Sequence, residues 1–281
     1  MRSLHNVQAP AKLNLFLHIT GRRDDGYHLL QSVFMLIDWC DTLHFDVRDD
    51  GLIERNDLNV VLPADDLIMR AAQSLQRASG TRLGADIAIE KYIPSQAGMG
   101  GGSSDAASTL LALNRLWGLN WPLSKLMPLG LALGADVPFF LGGHNAWIEG
   151  IGEQITPIDV PAARFAVVKP NAGLETAKIF RSSELQRATE TATMPVFAVN
   201  PYGFGRNDLQ PVAQALCPEI TEALEWLGSF GLSPRMTGSG SAVFAQLPNG
   251  AQIDSAPHNW QMRICSNMAV HPQAGWAASE S

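Results

Sequence analysis

The sequence predicts an α+β fold in two domains. Strand-like and helix-like segments follow one another in mixed order, without the regular alternation that builds a parallel sheet. The chain has 281 residues, and at about 150 residues per domain that length gives two domains or one large one. A proline-marked stretch without helical period, Ile155 to Pro161, favours two, at residues 1–155 and 156–281.

Each element has its own signal. From Ala11 to Ile19 the chain alternates, with Leu13, Leu15, Leu17 and Ile19 pointing one way and Lys12, Asn14 and His18 the other. That period of two predicts a strand, with Phe16 as an apolar exception on its polar face. Gly21 to Gly26 is a polar turn, and Leu29 to Ile37 and Asp41 to Val47 are further strands. Asp65 to Ala78 is a helix, whose dipole favours Asp65 and Asp66 in its first turn. Ile87, Ile89 and Ile93 mark a strand that enters Pro94 and a glycine-rich loop, Gly98 to Ser104. In the helix after it, Ala106, Leu110, Leu113 and Trp117 share one face, and Gly118 is placed to end it. A short helix from Ser124 to Leu133 precedes Gly134-Ala135-Asp136-Val137-Pro138.

In the second half, Arg164 to Lys169 is a strand and Glu175 to Phe180 a short helix or turn. Arg187 to Pro195 is a surface loop, Pro218 to Leu227 a helix, and Met236 to Leu247 a glycine-rich turn entering a strand at Ala242. The small, polar tail after Val270 is expected to fray.

Composition excludes several classes. With 46% hydrophobic and 17% charged residues, the chain buries a core and is not disordered. No window approaches the roughly 18 apolar residues of a membrane span. Met1 to Pro10 lacks the apolar centre of a secretory signal, so the expected location is the cytoplasm. A net charge of −7 with only 20 Lys and Arg argues against a nucleic-acid partner. An anionic ligand must therefore be met locally, by a few side chains and backbone dipoles. Cys40, Cys217 and Cys265 form no CxxC pair and read as free, buried thiols in a reducing compartment.

The order strand, proline, glycines, serine pair, helix at Gly98 to Ser104 suits a phosphate. Glycine lets backbone N–H groups approach an anion closely, and a helix N-terminus adds unpaired donors and a partial positive charge. Ser103 or Ser104 could cap the helix or turn a hydroxyl to a phosphate or its Mg²⁺. Asp105 suits the dipole but would repel an anion if it faced one. No Gly-Lys-Ser/Thr follows, so the loop is not a Walker A motif. Gly238-Ser239-Gly240-Ser241 is a second glycine loop, equally readable as a hairpin turn or as the other jaw of a clamp.

Side chains leave alternatives open. Lys12 is either a snorkelling edge residue or a cation aimed into a cleft. Asp136, between a Gly-Ala turn and the apolar run Val137 to Phe140, is either a helix cap or a chemical group. His28 beside Tyr27 is either solvated or a partner for a nucleobase.

Several segments, in one order along nearly the whole chain, resemble the GHMP kinases, and within them the branch acting on 4-diphosphocytidyl-2-C-methyl-D-erythritol in isoprenoid precursor synthesis. They are Pro10 to Leu15, Gly26-Tyr27-His28, Gly98 to Ala107, Leu133 to Phe139, Gly150 to Glu153, Lys169-Pro170, Thr176 to Phe180 and Thr237 to Phe244. The sequence departs from the family pattern at Ser95-Gln96-Ala97, Met99, Asp105 and Glu175.

The resemblance implies a two-domain GHMP kinase fold, with a ribosomal-protein-S5-domain-2-like ATP-binding domain first and a smaller ferredoxin-like α/β domain second. It implies transfer of phosphate from ATP to the 2-hydroxyl of the methylerythritol unit. Lys12 and Asp136 would be catalytic. Pro94, Ser95, Gln96, Ala97, Gly98, Met99, Gly100, Gly101, Gly102, Ser103 and Ser104 would bind ATP. Asn14, Tyr27, His28, Lys169, Thr176, Phe180, Gly238 and Ser239 would bind the substrate, with Tyr27, His28 and Phe180 around its cytosine. Mg²⁺ would be held mostly by water and phosphate, with Ser104. The implied partner is a cytidine-diphosphate-linked small molecule, with no nucleic acid or membrane, for a monomer or homodimer. The competing readings are a GHMP kinase for a sugar, homoserine or mevalonate-type alcohol, and a nucleotide-binding module without phosphotransfer.

Overall fold

Two long strands, β1 (Ser3–Arg22) and β2 (His28–Arg48), pair antiparallel along almost their whole length. They form the spine of the computed structural model, which describes residues 2–279 apart from 254 and 258. The two strands expected at 29–37 and 41–47 are one strand, because the ladder shifts register beside Pro10, opposite Cys40, and then continues. Proline has no N–H to give the ladder, so a register change there costs little pairing.

A second irregularity corrects the expected facing of β1. Asn14 pairs with Phe34 and Leu17 with Ser32, so three residues advance on β1 against two on β2. This one-residue bulge reverses the alternation. Ala11, Leu13, Leu15 and Phe16 enter one core with Phe165, Val167 and Phe244. Leu17 and Ile19 enter another, with Val168, Val212 and Ile220. Phe16 is thus no exception: the bulge turns it to the side of His18, whose ring lies 4.8 Å away.

On β2 are built β3 (Ile53–Asp57), β4 (Gly84–Glu90), β5 (Ala146–Glu149) and β6 (Gln154–Pro157), in the order β3-β4-β2-β5-β6, with β1 also paired to β2. Helices α1 (Leu67–Ser79), α2 (Gly101–Leu116), α3 (Leu123–Leu133) and α4 (Val137–Gly142) share a core with this sheet. Asp66 is the N-cap of α1, accepting the Met69 N–H at 3.0 Å, and Asp65 lies outside the helix. The pattern of α2 predicts one apolar face, yet every residue from Ser104 to Asn114 is buried. Its small Ala, Ser and Thr residues let neighbours close in all round. Neither Ser103 nor Ser104 caps α2; the N-cap is Gly100, in the left-handed region at φ 72°.

The second sheet, β10-β7-β9-β8, is antiparallel and contains β7 (Arg164–Lys169), β8 (Arg235–Met236), β9 (Val243–Leu247) and β10 (Gln261–Ser266). Around it lie α5 (Thr176–Arg181), α6 (Met194–Val199), α7 (Gln210–Leu216) and α8 (Pro218–Gly228). β6 ends at Pro157 and β7 begins at Arg164, inside and just beyond the proline-marked stretch. The three cysteines are free and buried.

Residues 271–279 do not fray, and the last two positions of the expected tail lie outside the described residues. The His271 N–H donates to Gly143 O at 2.8 Å. The Gln273 amide accepts from Ser108 Oγ at 2.9 Å and donates to Gln8 O at 2.7 Å, and Trp276 packs on the core that α1 to α4 share with the first sheet. Its polar residues are used internally, which composition alone does not reveal. Among the described residues no helix is long and apolar enough to cross a membrane.

Candidate active site

A cleft of about 750 Å³ runs between the two sheets' loops. At its floor Lys12 Nζ lies 3.8 Å from Asp136 Oδ2. Tertiary folding therefore brings together two side chains that stand 124 positions apart in the sequence. Lys12 is only 3% exposed, so it does not snorkel. Asp136 stands at the start of α4 but makes no capping hydrogen bond. Lys12 also donates to Asn14 Oδ1 and sits 4.6 Å from the Phe34 ring centroid. Burial lowers the Lys12 pKa, and the Asp136 charge opposes that shift.

Asn14 is a buried hub. Its N–H donates to Thr237 Oγ1 at 2.9 Å and its amide to Ser32 Oγ at 2.9 Å. It thereby orients Lys12 and ties β1 to the second glycine loop.

The two glycine loops touch. The Ser241 N–H donates to Gln96 O at 3.1 Å and the Ala242 N–H to Ala97 O at 3.3 Å, while the Lys12 N–H donates to Met99 O at 3.0 Å. A Cβ on Gly98 would come within 2.3 Å of Thr237 O, and one on Gly100 within 3.0 Å of the Phe140 ring. Part of the glycine signal is thus loop-to-loop packing rather than room for a ligand. The loop residues 94–103 all line the cleft. Across it, Thr176 Oγ1 and Ser239 Oγ share a hydrogen bond at 2.6 Å, beside Gly238 and Phe180.

Four expected site residues are placed otherwise. Ser104 is fully buried in α2 with its hydroxyl unpartnered and does not line the cleft; Ser103 does. Lys169 is buried, and its ammonium is occupied by the carbonyls of Pro170 and Ala172. Tyr27 stands 61% exposed in the β1–β2 turn, outside the lining. His28 adjoins the cleft rather than lining it: its ring is 5.1 Å from that of Phe180, tilted by 37°.

Asp105 does line the cleft, but its charge is engaged. Lys91 Nζ donates to it at 2.6 Å and also to Asp41. Burial raises the Asp105 pKa, Lys91 opposes that, and Asp41 adds to it. Any repulsion of an anion is weakened accordingly.

Sequence reading missed one whole end of the cleft, lined by Leu62, Asp65, Asp66, Leu67 and Arg70. These residues signal only a helix start. Arg55 fastens this wall: part-buried, it bonds Asp57, Asp66, Leu62 O and Pro63 O. Among the described residues no group of three or more His, Cys, Asp or Glu forms a metal cage.

Two family models match the chain, GHMP kinases N terminal domain over residues 66–144 and GHMP kinases C terminal over 198–262. The chain is similar to 4-diphosphocytidyl-2-C-methyl-D-erythritol kinase of Albidiferax ferrireducens, 66% identical over 280 residues, covering 100% of this chain and 98% of that relative. It is similar to the protein of the same description from Variovorax paradoxus, at 60% identity over 99% of this chain and 100% of the relative. A crystal structure of 4-(cytidine 5'-diphospho)-2C-methyl-D-erythritol kinase superposes with a TM-score of 0.73 at 34% identity, covering 85% of this chain and 88% of that one.

Proposed function

The chain belongs to the GHMP kinase family, in the branch of the 4-diphosphocytidyl-2-C-methyl-D-erythritol kinases, and from that premise we propose how its cleft performs the transfer. The protein is a small-molecule kinase that phosphorylates 4-diphosphocytidyl-2-C-methyl-D-erythritol with ATP, in isoprenoid precursor synthesis. The acceptor is the 2-hydroxyl, and the site of action is the cytoplasm.

The Lys12–Asp136 pair at 3.8 Å, on the floor between two glycine loops, carries this reading. Asp136 accepts the proton of the attacking hydroxyl, a contribution of typically 10²–10⁴-fold for a positioned base. Lys12, a buried cation 3.8 Å from Asp136, stabilises charge gathering on the reacting oxygens. The backbone N–H groups of the Gly98–Ser103 loop and the N-terminus of α2 hold the phosphates. Thr176, Ser239 and Gly238 border the acceptor, and Phe180 with His28 receives its cytosine.

The cleft's oxygen donors near the loop, Asp136 and Ser103, fit a Mg²⁺ bound mainly by water and phosphate, the usual mode of this cation. When bound, Mg²⁺ neutralises charge on the phosphate oxygens. Ser103, which lines the cleft, is the hydroxyl placed to reach it, in place of Ser104.

The deciding assay is ATP-dependent phosphorylation of 4-diphosphocytidyl-2-C-methyl-D-erythritol by the wild type beside Asp136→Asn. Turnover in the wild type, lost in a variant that still binds ATP, is the expected result. A folded wild type that binds ATP and turns over galactose, homoserine or mevalonate instead would overturn the acceptor.

A further inference from the structure

We propose that Arg187 is a positioning residue for base recognition: it holds His28 as the neutral imidazole with its proton on Nδ1, so that a hydrogen-bond donor meets the substrate's base. This rests on the reading that His28 and Phe180 receive the cytosine.

The donor arithmetic fixes the tautomer. Arg187 Nε–H donates to His28 Nε2 at 3.1 Å. A guanidinium has donors only, so Nε2 must accept, and the proton of a neutral ring then sits on Nδ1. Arg187 cannot easily swing away. Its Nη1 donates to Leu185 O at 3.0 Å, and its Nη2 to Phe180 O at 3.2 Å and Ser182 O at 2.6 Å. One cation therefore grips both members of the platform, His28 by its ring and Phe180 by its carbonyl.

The surroundings keep the ring neutral. The charged groups acting on it are Arg187, from the loop after α5, and Arg22, from β1. Burial lowers the His28 pKa first, and these two cations lower it further. Among the described residues no carboxylate pairs with the ring, and no bond is made to Nδ1, so that donor is left for a ligand.

The chemistry this selects is specific. Cytosine presents two acceptors side by side, N3 and O2, and a donor at Nδ1 complements them. Uracil presents an N3–H there, donor against donor, and leaves both groups unpaired.

The first test needs no variant. Nitrogen-15 NMR of the imidazoles in the wild type is expected to show His28 with a protonated Nδ1 and a bare Nε2, staying neutral well below the usual histidine pKa of about 6.5. A ring protonated on Nε2, or titrating at the ordinary value, overturns the proposal. The second test is kinetic. In Arg187→Gln the acceptor KM is expected to rise about tenfold at pH near 8, the loss of roughly one hydrogen bond, with KM for ATP unchanged. As pH falls through about 6.5 the KM recovers, because the imidazolium again carries a proton on Nδ1. Preference for the cytidine-linked over a uridine-linked acceptor falls with it, and Arg187→Lys, which keeps a donor, restores part. A loss equal at every pH and for both bases marks Arg187 as merely structural and overturns the assignment. His28→Ala with an unchanged acceptor KM sinks the platform reading itself, whereas a raised KM there with the wrong tautomer sinks only the role of Arg187.

Discussion

Lys12 and Leu17 both line the cleft, although they stand an odd number of positions apart on one strand. An unbroken strand would put them on opposite faces. The bulge between Asn14 and Leu17 adds one residue to β1 and brings Leu17 round to the side of Lys12. One irregularity of the ladder thus gives a single strand both the cation proposed for catalysis and part of the apolar wall. Four expectations follow from this and the neighbouring geometry.

In the proposed mechanism Lys12 works as a cation, and its pKa is lowered, by burial first and against the pull of Asp136. The alkaline limb of kcat is therefore expected below the ordinary lysine value of 10.5. Lys12→Arg, which stays protonated, should retain little activity in so tight a site but show no such limb. A wild-type profile flat beyond the ordinary lysine value would refute the assignment.

Gly98 and Gly102 separate two uses of glycine. Gly98→Ala places a Cβ 2.3 Å from Thr237 O, at φ +70°, and is expected to cost about 1–3 kcal/mol by forcing the two loops apart. Gly102→Ala meets nothing closer than a Leu67 methyl at 3.5 Å. It should leave urea denaturation nearly unchanged while raising KM for ATP. Equal effects of both variants on stability would refute the distinction.

Arg55→Met leaves Asp57 and Asp66 without the part-buried guanidinium that both contact. A loss of about 1–3 kcal/mol is expected, the cost of removing charge-assisted hydrogen bonds from a part-buried cluster. The wall formed by Leu62, Asp65 and Leu67 loosens with it. Denaturation midpoints and KM for ATP should move together, and an unaltered midpoint would count against the clamp.

Burial lowers the His271 pKa from 6.5 to about 4. Between those values the unfolded chain binds the extra proton, so the stability contributed by the neutral ring is present above pH 6.5 and lost as pH falls toward 4. The full loss is about 3 kcal/mol. His271→Gln should flatten the dependence of unfolding free energy on pH in that window. An unchanged slope would place the acid sensitivity elsewhere.

The glycine loop before α2, the strand around Lys12, the Asp136 turn and the α+β class were legible in the sequence, because each rests on local signals: period, turn chemistry and helix punctuation. Motif order along the chain gave the family. What lay beyond reach was pairing at a distance. No local pattern says that Lys12 meets Asp136, that Arg187 from a polar loop grips His28, or that the tail after Val270 spends its glutamine and histidine inside. The bulge in β1 was equally hidden, since the alternation of Leu13, Leu15, Leu17 and Ile19 reads as one face until β2 supplies the register. Local segments carry their own propensities, but the facing of a side chain and the partner of a charge belong to whatever the rest of the chain packs against it, and only the tertiary structure decides that.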